Sequence, residues 1–139
     1  MGIAAALPIW YLWGMQNFRK LRAWQQAMDT AVQCYALSDL MPGSERYGLR
    51  TQIQRAGVSI PANIAEGSGR RTDREYVRFL RIAYGSACEA ETHALLAKRL
   101  GLAAPDAADE LIRSIIDSRR MLSGLIGKIQ NDAAPGARR

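Results

Sequence analysis

Histidine and cysteine are scarce in this chain of 139 residues, which contains one histidine and two cysteines. A Ser-His-Asp or Cys-His arrangement could use only His93. A di-iron centre in a helical bundle requires a Glu-x-x-His motif on each of two helices. Glu89, Glu91 and His93 lie on one predicted helix at the wrong spacing for that motif. We therefore expect a protein that is not an enzyme and has no metal site, no cofactor and no small-molecule substrate.

The two cysteines, Cys34 and Cys88, lie on different predicted helices. Small secreted domains that depend on disulfides are much richer in cysteine. Both residues therefore fit buried structural thiols in a reducing compartment, and we expect a cytoplasmic protein.

Long hydrophobic runs are also missing, except for the apolar and uncharged segment 1–14. No basic residues precede its apolar run, as a signal peptide requires, and a membrane span needs about twenty residues. We therefore expect no membrane association. The segment is interpreted as an N-terminal extension, produced by a translation start placed too early or forming a flexible arm, and a docked arm remains an alternative. Residues 15–130 form the predicted domain, and 131–139 a flexible tail.

Apolar residues recur at steps of three and four, and no strand-like alternation is visible. This periodicity predicts helices over 17–38, 44–66, 72–100 and 105–130, with Asn17 as the first N-cap and Glu45 in the first turn of the second helix. Short connections between four helices predict an all-α fold, an antiparallel up-down-up-down four-helix bundle. Pro61 lies inside the second helix and predicts a kink or break there.

The expected core faces follow from the same spacing. The first helix would bury the apolar residues Leu21, Trp24, Met28, Ala31, Val32 and Tyr35, and the second Leu49, Ile53, Ala56, Ile60 and Ile64. The third helix has an Ala-rich side made of Ala83, Ala87, Ala90, Ala94 and Ala97. Small side chains on that side would permit close helix approach.

A polar stripe follows the core stripe of the second helix at the same spacing: Gln52, Arg55, Ser59, Asn63 and Glu66. Polar groups beside a core need partners when they are covered. The stripe therefore predicts a packed polar contact between helices or between subunits. We expect Arg55 to pair with Glu66 or Glu89, and Asn63 to satisfy backbone groups freed by Pro61.

The order of these motifs resembles a known family from about Phe18 to Leu125. The resemblance rests on Phe18, Leu21, Trp24, Pro42, Glu45, Tyr47-Gly48-Leu49, Gln52, Arg55-Ala56, Ser59-Ile60-Pro61-Ala62-Asn63-Ile64-Ala65-Glu66-Gly67, Phe79-Leu80, Ile82-Ala83, Gly85-Ser86 and Glu89-Ala90-Glu91-Thr92. These residues are similar to those of small bacterial four-helix-bundle proteins encoded by intervening sequences in 23S rRNA genes. Cys88 and His93 depart from the family pattern, and residues 1–14 have no counterpart in it.

The resemblance implies a helical bundle that assembles into a ring-shaped homo-oligomer, a pentamer. It implies no enzyme activity. Relatives with the same fold act as nucleic-acid-binding accessory proteins.

The charge of the chain is positive, with a formal net charge of +6 at pH 7. Arg71, Arg74, Arg78 and Arg81 fall within about 80° of one helix face at about 100° per residue, and Arg70 widens this arc slightly. Arg46 and Arg50 form a second pair at helical spacing, and Arg119 and Arg120 add charge to the last helix. A solvated helix face is the alternative interpretation of such a stripe.

A basic surface repeated in an oligomer attracts polyanions through counterion release. Aromatic residues are few, at 7% of the chain, so base stacking is not indicated. We expect an oligomeric bundle that binds nucleic acid, structured RNA or DNA, through phosphate contacts. The alternative is a protein-interaction scaffold with an acidic partner protein, which predicts no appreciable binding of nucleic acid.

Overall fold

The computed structural model describes residues 18–45 and 48–133. Within these residues the chain forms no strand and four long helices: α1 Arg22–Asp39, α2 Leu49–Ser68, α3 Asp73–Arg99 and α4 Pro105–Ala133. Consecutive helices pack on each other, and α4 packs back against α1, which places the core between the four helices. The predicted all-α class is confirmed. Within the same residues, no helix is long and apolar enough to cross a membrane.

Both ends of α3 are determined by local sequence. At its start the Thr72 hydroxyl accepts a hydrogen bond from the Glu75 backbone N–H at 3.2 Å, which is the N-cap half of a capping box. At its end Gly101 has a φ of +69°, and the Leu102 N–H donates to the Ala97 carbonyl at 2.9 Å. This arrangement is a Schellman motif, in which the left-handed residue favours glycine.

The first two helices begin later than their sequence suggests. Residues 18–20 are helical, but extended backbone at Leu21 separates them from α1, and the predicted N-cap Asn17 lies outside the described residues. The predicted start of the second helix is a separate 3-10 helix, Gly43–Glu45. Glu45 therefore precedes α2, where its carboxylate accepts from the Leu49 N–H at 3.3 Å. A carboxylate at this position satisfies a helix-start donor, which accounts for its place in the sequence.

Pro61 is buried within α2, and the helix continues through it without a break. A proline removes one helical hydrogen bond, here the bond that would end at the Gly57 carbonyl. Asn63 does not take over that carbonyl, because its side-chain amide donates to the Ser59 carbonyl at 2.8 Å and to the Ser59 hydroxyl at 2.9 Å. The predicted break is therefore wrong, while a kink at Pro61 stays a prediction.

The core stripes of α2 and α3 lie where their spacing predicts. Each predicted α2 core residue is at most 9% exposed, and each predicted α3 alanine is fully buried. Leu111, Ile115 and Leu122 of α4 complete this layer. Small residues in the middle of α3 thus lie between two other helices of the same chain.

The predicted core face of α1 is right in part. Ala31 is buried, and Leu21 and Trp24 pack against the core. The other three predicted residues lie outside the core. Met28, Val32 and Tyr35 are 40%, 66% and 45% exposed, whereas Ala27 and Cys34 are fully buried. Small residues occupy the core face because α1 and α2 approach closely: a Cβ on Gly57 would lie 2.8 Å from the Cys34 Sγ. The large apolar side chains are consequently left outside.

Gly67 makes a second close approach rather than ending the helix. It is buried, and a Cβ there would lie 2.8 Å from the Phe79 Cβ and 3.0 Å from the Tyr76 ring. The helix ends after it, at Ser68, and the C-cap residue Gly69 has an ordinary negative φ of −85°. At the other end of the chain α4 extends to Ala133, so the first residues of the predicted tail 131–139 are helical. Residues 134–139 lie outside the described part.

Candidate nucleic-acid interface

The predicted arginine stripe lies on the connection before α3 and on the first three turns of that helix. Thr72 fixes where the helix starts, and burial of Phe79 and Leu80 turns the opposite side of the helix to solvent. We call this set the Arg surface; its members, all exposed, are Arg70, Arg71, Arg74, Arg78 and Arg81. The structure therefore brings the predicted residues to one exposed side of the bundle.

Two members of the Arg surface are held by acidic and aromatic neighbours. Arg70 pairs with Glu66 at 2.8 Å, and Arg78 pairs with Glu75 at 3.3 Å. Both guanidinium groups also lie 4.6 Å from the centroid of the Phe79 ring. Cation–π contacts and ion pairs of this kind restrain the two side chains and offset part of their charge.

Arg71, Arg74 and Arg81 form no ion pair or hydrogen bond with any residue that the structure describes. Their charge is therefore not offset by a neighbouring carboxylate. These three side chains are the members of the Arg surface best able to exchange water and small ions for a phosphate.

A groove of about 810 Å³ opens beside the Arg surface, between the start of α3 and the end of α4. Arg74, Arg78 and Arg81 lie on its α3 wall, and Ile129 lies on its α4 wall. Val77 adds a second apolar side chain, while Asp73 and Glu75 contribute acidic groups at the helix start. The groove thus combines a basic wall with an apolar lining, and its size is within the range of ligand clefts in proteins.

Further along the same two helices, Arg119 of α4 reaches across to α3. Its guanidinium donates to Glu91 at 2.6 Å and to the Tyr84 hydroxyl at 3.2 Å, and it lies 5.3 Å from the Tyr84 ring centroid. The hydrogen bond to Tyr84 raises the pKa of Arg119 further above its usual range, so the group stays charged. The neighbouring Arg120 has a 78% exposed side chain and only a 4.0 Å contact with Asp117.

The second predicted basic pair is Arg46 and Arg50, and no described contact joins it to the Arg surface. The Arg50 side chain is 23% exposed and lies 3.7 Å from Asp39, which links α2 to the end of α1. Arg46 lies outside the described residues. A binding role for this pair stays a prediction.

The polar stripe of α2 is divided between contacts inside the chain and exposed positions. The Ser59 hydroxyl lies 2.8 Å from the Ser86 hydroxyl, and this contact joins α2 to α3. The same hydroxyl accepts a hydrogen bond from the Asn63 side chain. Gln52 and Arg55 are exposed, and in the described part of the chain no residue bonds to either side chain.

The predicted Arg55 pair is not formed within this chain. Glu66 pairs with Arg70, and Glu89 lies 3.5 Å from His93 on the next turn of α3. A contact of Arg55 across a subunit interface stays a prediction.

A buried hydroxyl cluster between α1 and α4 was not anticipated from the sequence. The Thr30 hydroxyl lies 2.7 Å from that of Ser114 and 2.9 Å from that of Ser118, and Gln26 donates to Ser114 at 3.1 Å. Ser114 and Ser118 interrupt the apolar stripe of α4 at a spacing of one turn. This spacing is the feature of the sequence from which the cluster could have been predicted. Such groups are tolerated in a core because they satisfy one another.

The cysteines are free thiols, and burial raises the pKa of Cys34 to about 12. A thiol with so high a pKa is a poor nucleophile at neutral pH. Among the described residues there is no group of three potential metal ligands.

Comparison with known proteins supplies the family. The family model of the 23S rRNA-intervening sequence protein matches residues 19–124. This chain belongs to that family. None of the curated protein sequences compared with the chain is significantly similar to it.

A solved structure has a similar fold. It is a protein of unknown function from the S23 ribosomal protein family of Bacteroides thetaiotaomicron, with a TM-score of 0.69 and 23% sequence identity. The alignment covers 75% of this chain and 97% of the other. At this level of identity the similarity concerns the fold alone.

Proposed function

We propose that this protein is a basic, non-enzymatic helical bundle that binds nucleic acid, structured RNA or DNA, through phosphate contacts of the Arg surface. The observation that carries the proposal is the presence of three exposed arginines on one side of the bundle, Arg71, Arg74 and Arg81, which have no carboxylate partner among the described residues. Membership of a family associated with 23S rRNA genes supports RNA as the ligand. Guanidinium groups bind phosphate oxygens in a two-point geometry, and such contacts carry little sequence information.

Substitution of Arg74 and Arg81 by Gln tests this proposal. We expect the double variant to bind unrelated hairpin RNAs more weakly and to reduce the slope of log affinity against log salt by about two, roughly one unit for each phosphate that is no longer neutralised. Fluorescence anisotropy at several salt concentrations measures both effects. Exposed charges contribute little to folding, so the melting temperature should stay nearly constant.

Arg99 and Arg113 provide a matched control, because both are exposed and lack a partner in the described part of the chain. Arg99 lies in the last turn of α3, about 37 Å along the helix from Arg74. Arg113 lies in the third turn of α4. Replacing both by Gln removes the same charge from positions outside the Arg surface and should change affinity much less. Equal losses of affinity in the two variants would show that binding depends on the net charge of the protein and not on the Arg surface. Failure of the wild-type protein to bind RNA or DNA at low salt would favour a scaffold with an acidic protein partner.

We also propose that the chain forms an antiparallel up-down-up-down bundle and assembles into a homo-oligomer, a pentamer as the family resemblance implies. Met28, Val32 and Tyr35 form an exposed apolar stripe on α1, and Val58 of α2 is 44% exposed. Tyr35, Arg55 and Val58 line one shallow cleft between these helices. A subunit contact there would cover apolar surface and give the unpaired Arg55 a partner.

Light scattering coupled to gel filtration tests assembly, with an expected mass about five times the chain mass of 15.4 kDa. Changing Val32 to Glu should dissociate the oligomer, whereas Leu100→Glu at an exposed position on the end of α3 should not. A wild-type protein with the mass of one chain would contradict the proposal. The free thiols of Cys34 and Cys88 support a cytoplasmic location for the assembly.

A further inference from the structure

The groove beside the Arg surface continues along the boundary of α3 and α4. Arg81 lines both the first section, of about 810 Å³, and a second section of about 380 Å³. Tyr84 and Ser123 line the second section and also a third, of about 360 Å³. We call the three sections together the α3–α4 groove. From Arg74 to Tyr84 it follows α3 for about 15 Å at 1.5 Å per residue.

Positive charge is present along the whole α3–α4 groove. Its basic lining residues are Arg74, Arg78, Arg81, Arg119 and Arg120. Its acidic lining residues are Asp73 and Glu75, both at the start of α3, and Glu75 is already paired with Arg78. A chain of negative charges is therefore complementary to the groove along most of its length.

The lining between the arginines is apolar and includes one aromatic ring. Val77, Ile126 and Ile129 line the first two sections, and Tyr84 lies where the second and third meet. Gly85 lines the second section as well, and a Cβ built there would meet nothing within 4 Å. The expectation that base stacking is not indicated rests on the small number of aromatic residues and does not include the position of Tyr84 in a groove. Phosphates gain nothing from contact with apolar side chains, whereas unstacked bases pack on apolar and aromatic side chains and on guanidinium planes.

We propose that the α3–α4 groove holds a short single-stranded segment of nucleic acid, an inference that rests on the proposed function. The unpaired arginines Arg74 and Arg81 and the exposed Arg120 bind successive phosphates. Bases of the segment pack against the apolar lining and against Tyr84, whose orientation Arg119 fixes. Paired and stacked bases of a duplex cannot enter the groove, so a duplex is limited to phosphate contacts on its rim. The partner is thus a loop, bulge or end of a folded RNA.

Filling the groove without changing charge tests this assignment. Gly85→Trp places an indole in the second section, and the open space around Gly85 and its helical position favour normal folding. The probes are a single-stranded RNA of about eight nucleotides, within the range of known single-strand sites, and a blunt duplex of the same sequence. We expect the wild type to bind the single strand about tenfold more tightly than the duplex, because the packing of one base on a side chain lowers the binding free energy by an amount that corresponds to about this factor in affinity. Gly85→Trp should remove this preference.

Gly124→Trp is the matched control. Gly124 is also exposed with nothing within 4 Å of its Cβ position, but it lines a different cleft, between α4 and the residues around Leu21. This variant should bind both probes like the wild type. Circular dichroism melts verify that both tryptophan variants are folded.

The outcomes separate the groove from the general function. The groove assignment is overturned if the wild type binds the two probes with equal affinity, or if Gly85→Trp binds the single strand as tightly as the wild type does. The proposed phosphate binding still stands in that case if the double variant Arg74→Gln, Arg81→Gln binds both probes more weakly. If the wild type binds neither probe at low salt, the proposed function fails together with the groove assignment.

Discussion

Helix α1 contacts its two neighbours in different ways. Against α2 it packs small apolar residues, with Cys34 close to the backbone of Gly57. Against α4 it packs the hydroxyl cluster of Thr30, Ser114 and Ser118. The first contact depends on the absence of side-chain volume, and the second depends on hydrogen bonds between buried side chains. The two contacts should therefore respond to different substitutions.

The largest effect is expected from a charge in the buried core stripe of α2, the helix that packs against α1. Ile60 is fully buried on α2, so Ile60→Asp buries a carboxylate without a partner and should cost several kcal/mol, enough to unfold the protein. Ala62→Asp, two residues away at an exposed position, is the control and should remain folded. Thermal melts followed by circular dichroism measure both. Similar melting temperatures for the two variants would show that the core face of α2 is assigned to the wrong side.

A smaller change of volume tests the closeness of the same contact. Gly57→Ala places a Cβ 2.8 Å from the Cys34 Cβ and Sγ and should destabilise the fold by about 1–3 kcal/mol through overpacking. Gly85→Ala on α3 meets no atom within 4 Å and should stabilise it by about 0.5–1 kcal/mol, because alanine is the better helix former. Urea titrations report both values. A stabilising Gly57→Ala would mean that α1 and α2 are not in close contact.

The α1–α4 contact should be sensitive to hydrogen bonding rather than to volume. Thr30→Val keeps the shape but leaves Ser114 and Ser118 without their shared partner, at a cost of about 1–2 kcal/mol. The triple variant Thr30→Val, Ser114→Ala, Ser118→Ala removes the whole cluster and should cost less than the sum of its single changes. Strict additivity in urea titrations would indicate that the three hydroxyls do not act as one cluster.

The smallest effect concerns the pH dependence of the α1–α2 contact. Burial raises the pKa of Cys34 from 9.0 to about 12, so between these values the folded protein keeps a proton that the unfolded chain loses. The stabilisation is complete below pH 9, and stability should fall by about 1 kcal/mol from pH 9 to pH 10. Cys34→Ala lacks the thiol and should show a shallower decline over this range. Parallel declines in the two proteins would place the Cys34 thiol in contact with solvent.

The difference between α1 and the other helices also explains how far sequence alone predicts the fold. Isoleucines at helical spacing on α2, and alanines on α3, identify core faces because few other arrangements would bury them. On α1 the large residues Met28 and Tyr35 were predicted to be buried but are exposed, since the close approach at Gly57 selects small residues instead. Helix-to-helix distance is a tertiary property, and the periodicity of one helix does not contain it.

The candidate site shows the same limit. The spacing of the Arg surface is predictable from α3 alone, and so is its exposure. The position of the Phe79 ring between Arg70 and Arg78 is not predictable in this way, because it depends on side-chain rotamers. The contact of Arg119 with Glu91 is not predictable either, because it depends on the register between α3 and α4. The α3–α4 groove follows from that register and was therefore invisible in the sequence.

The return of α4 to α1 has a consequence for the order of folding. The contacts α1–α2, α2–α3 and α3–α4 join neighbours in the chain, whereas α1–α4 joins its two ends. Closing a long loop costs more entropy than closing a short one, so local helix pairs form first and the α1–α4 contact forms late. Removing an interaction that is absent from the transition state accelerates unfolding and leaves the folding rate almost unchanged. The hydroxyl cluster, on this view, determines how long the native bundle lasts rather than how fast it forms.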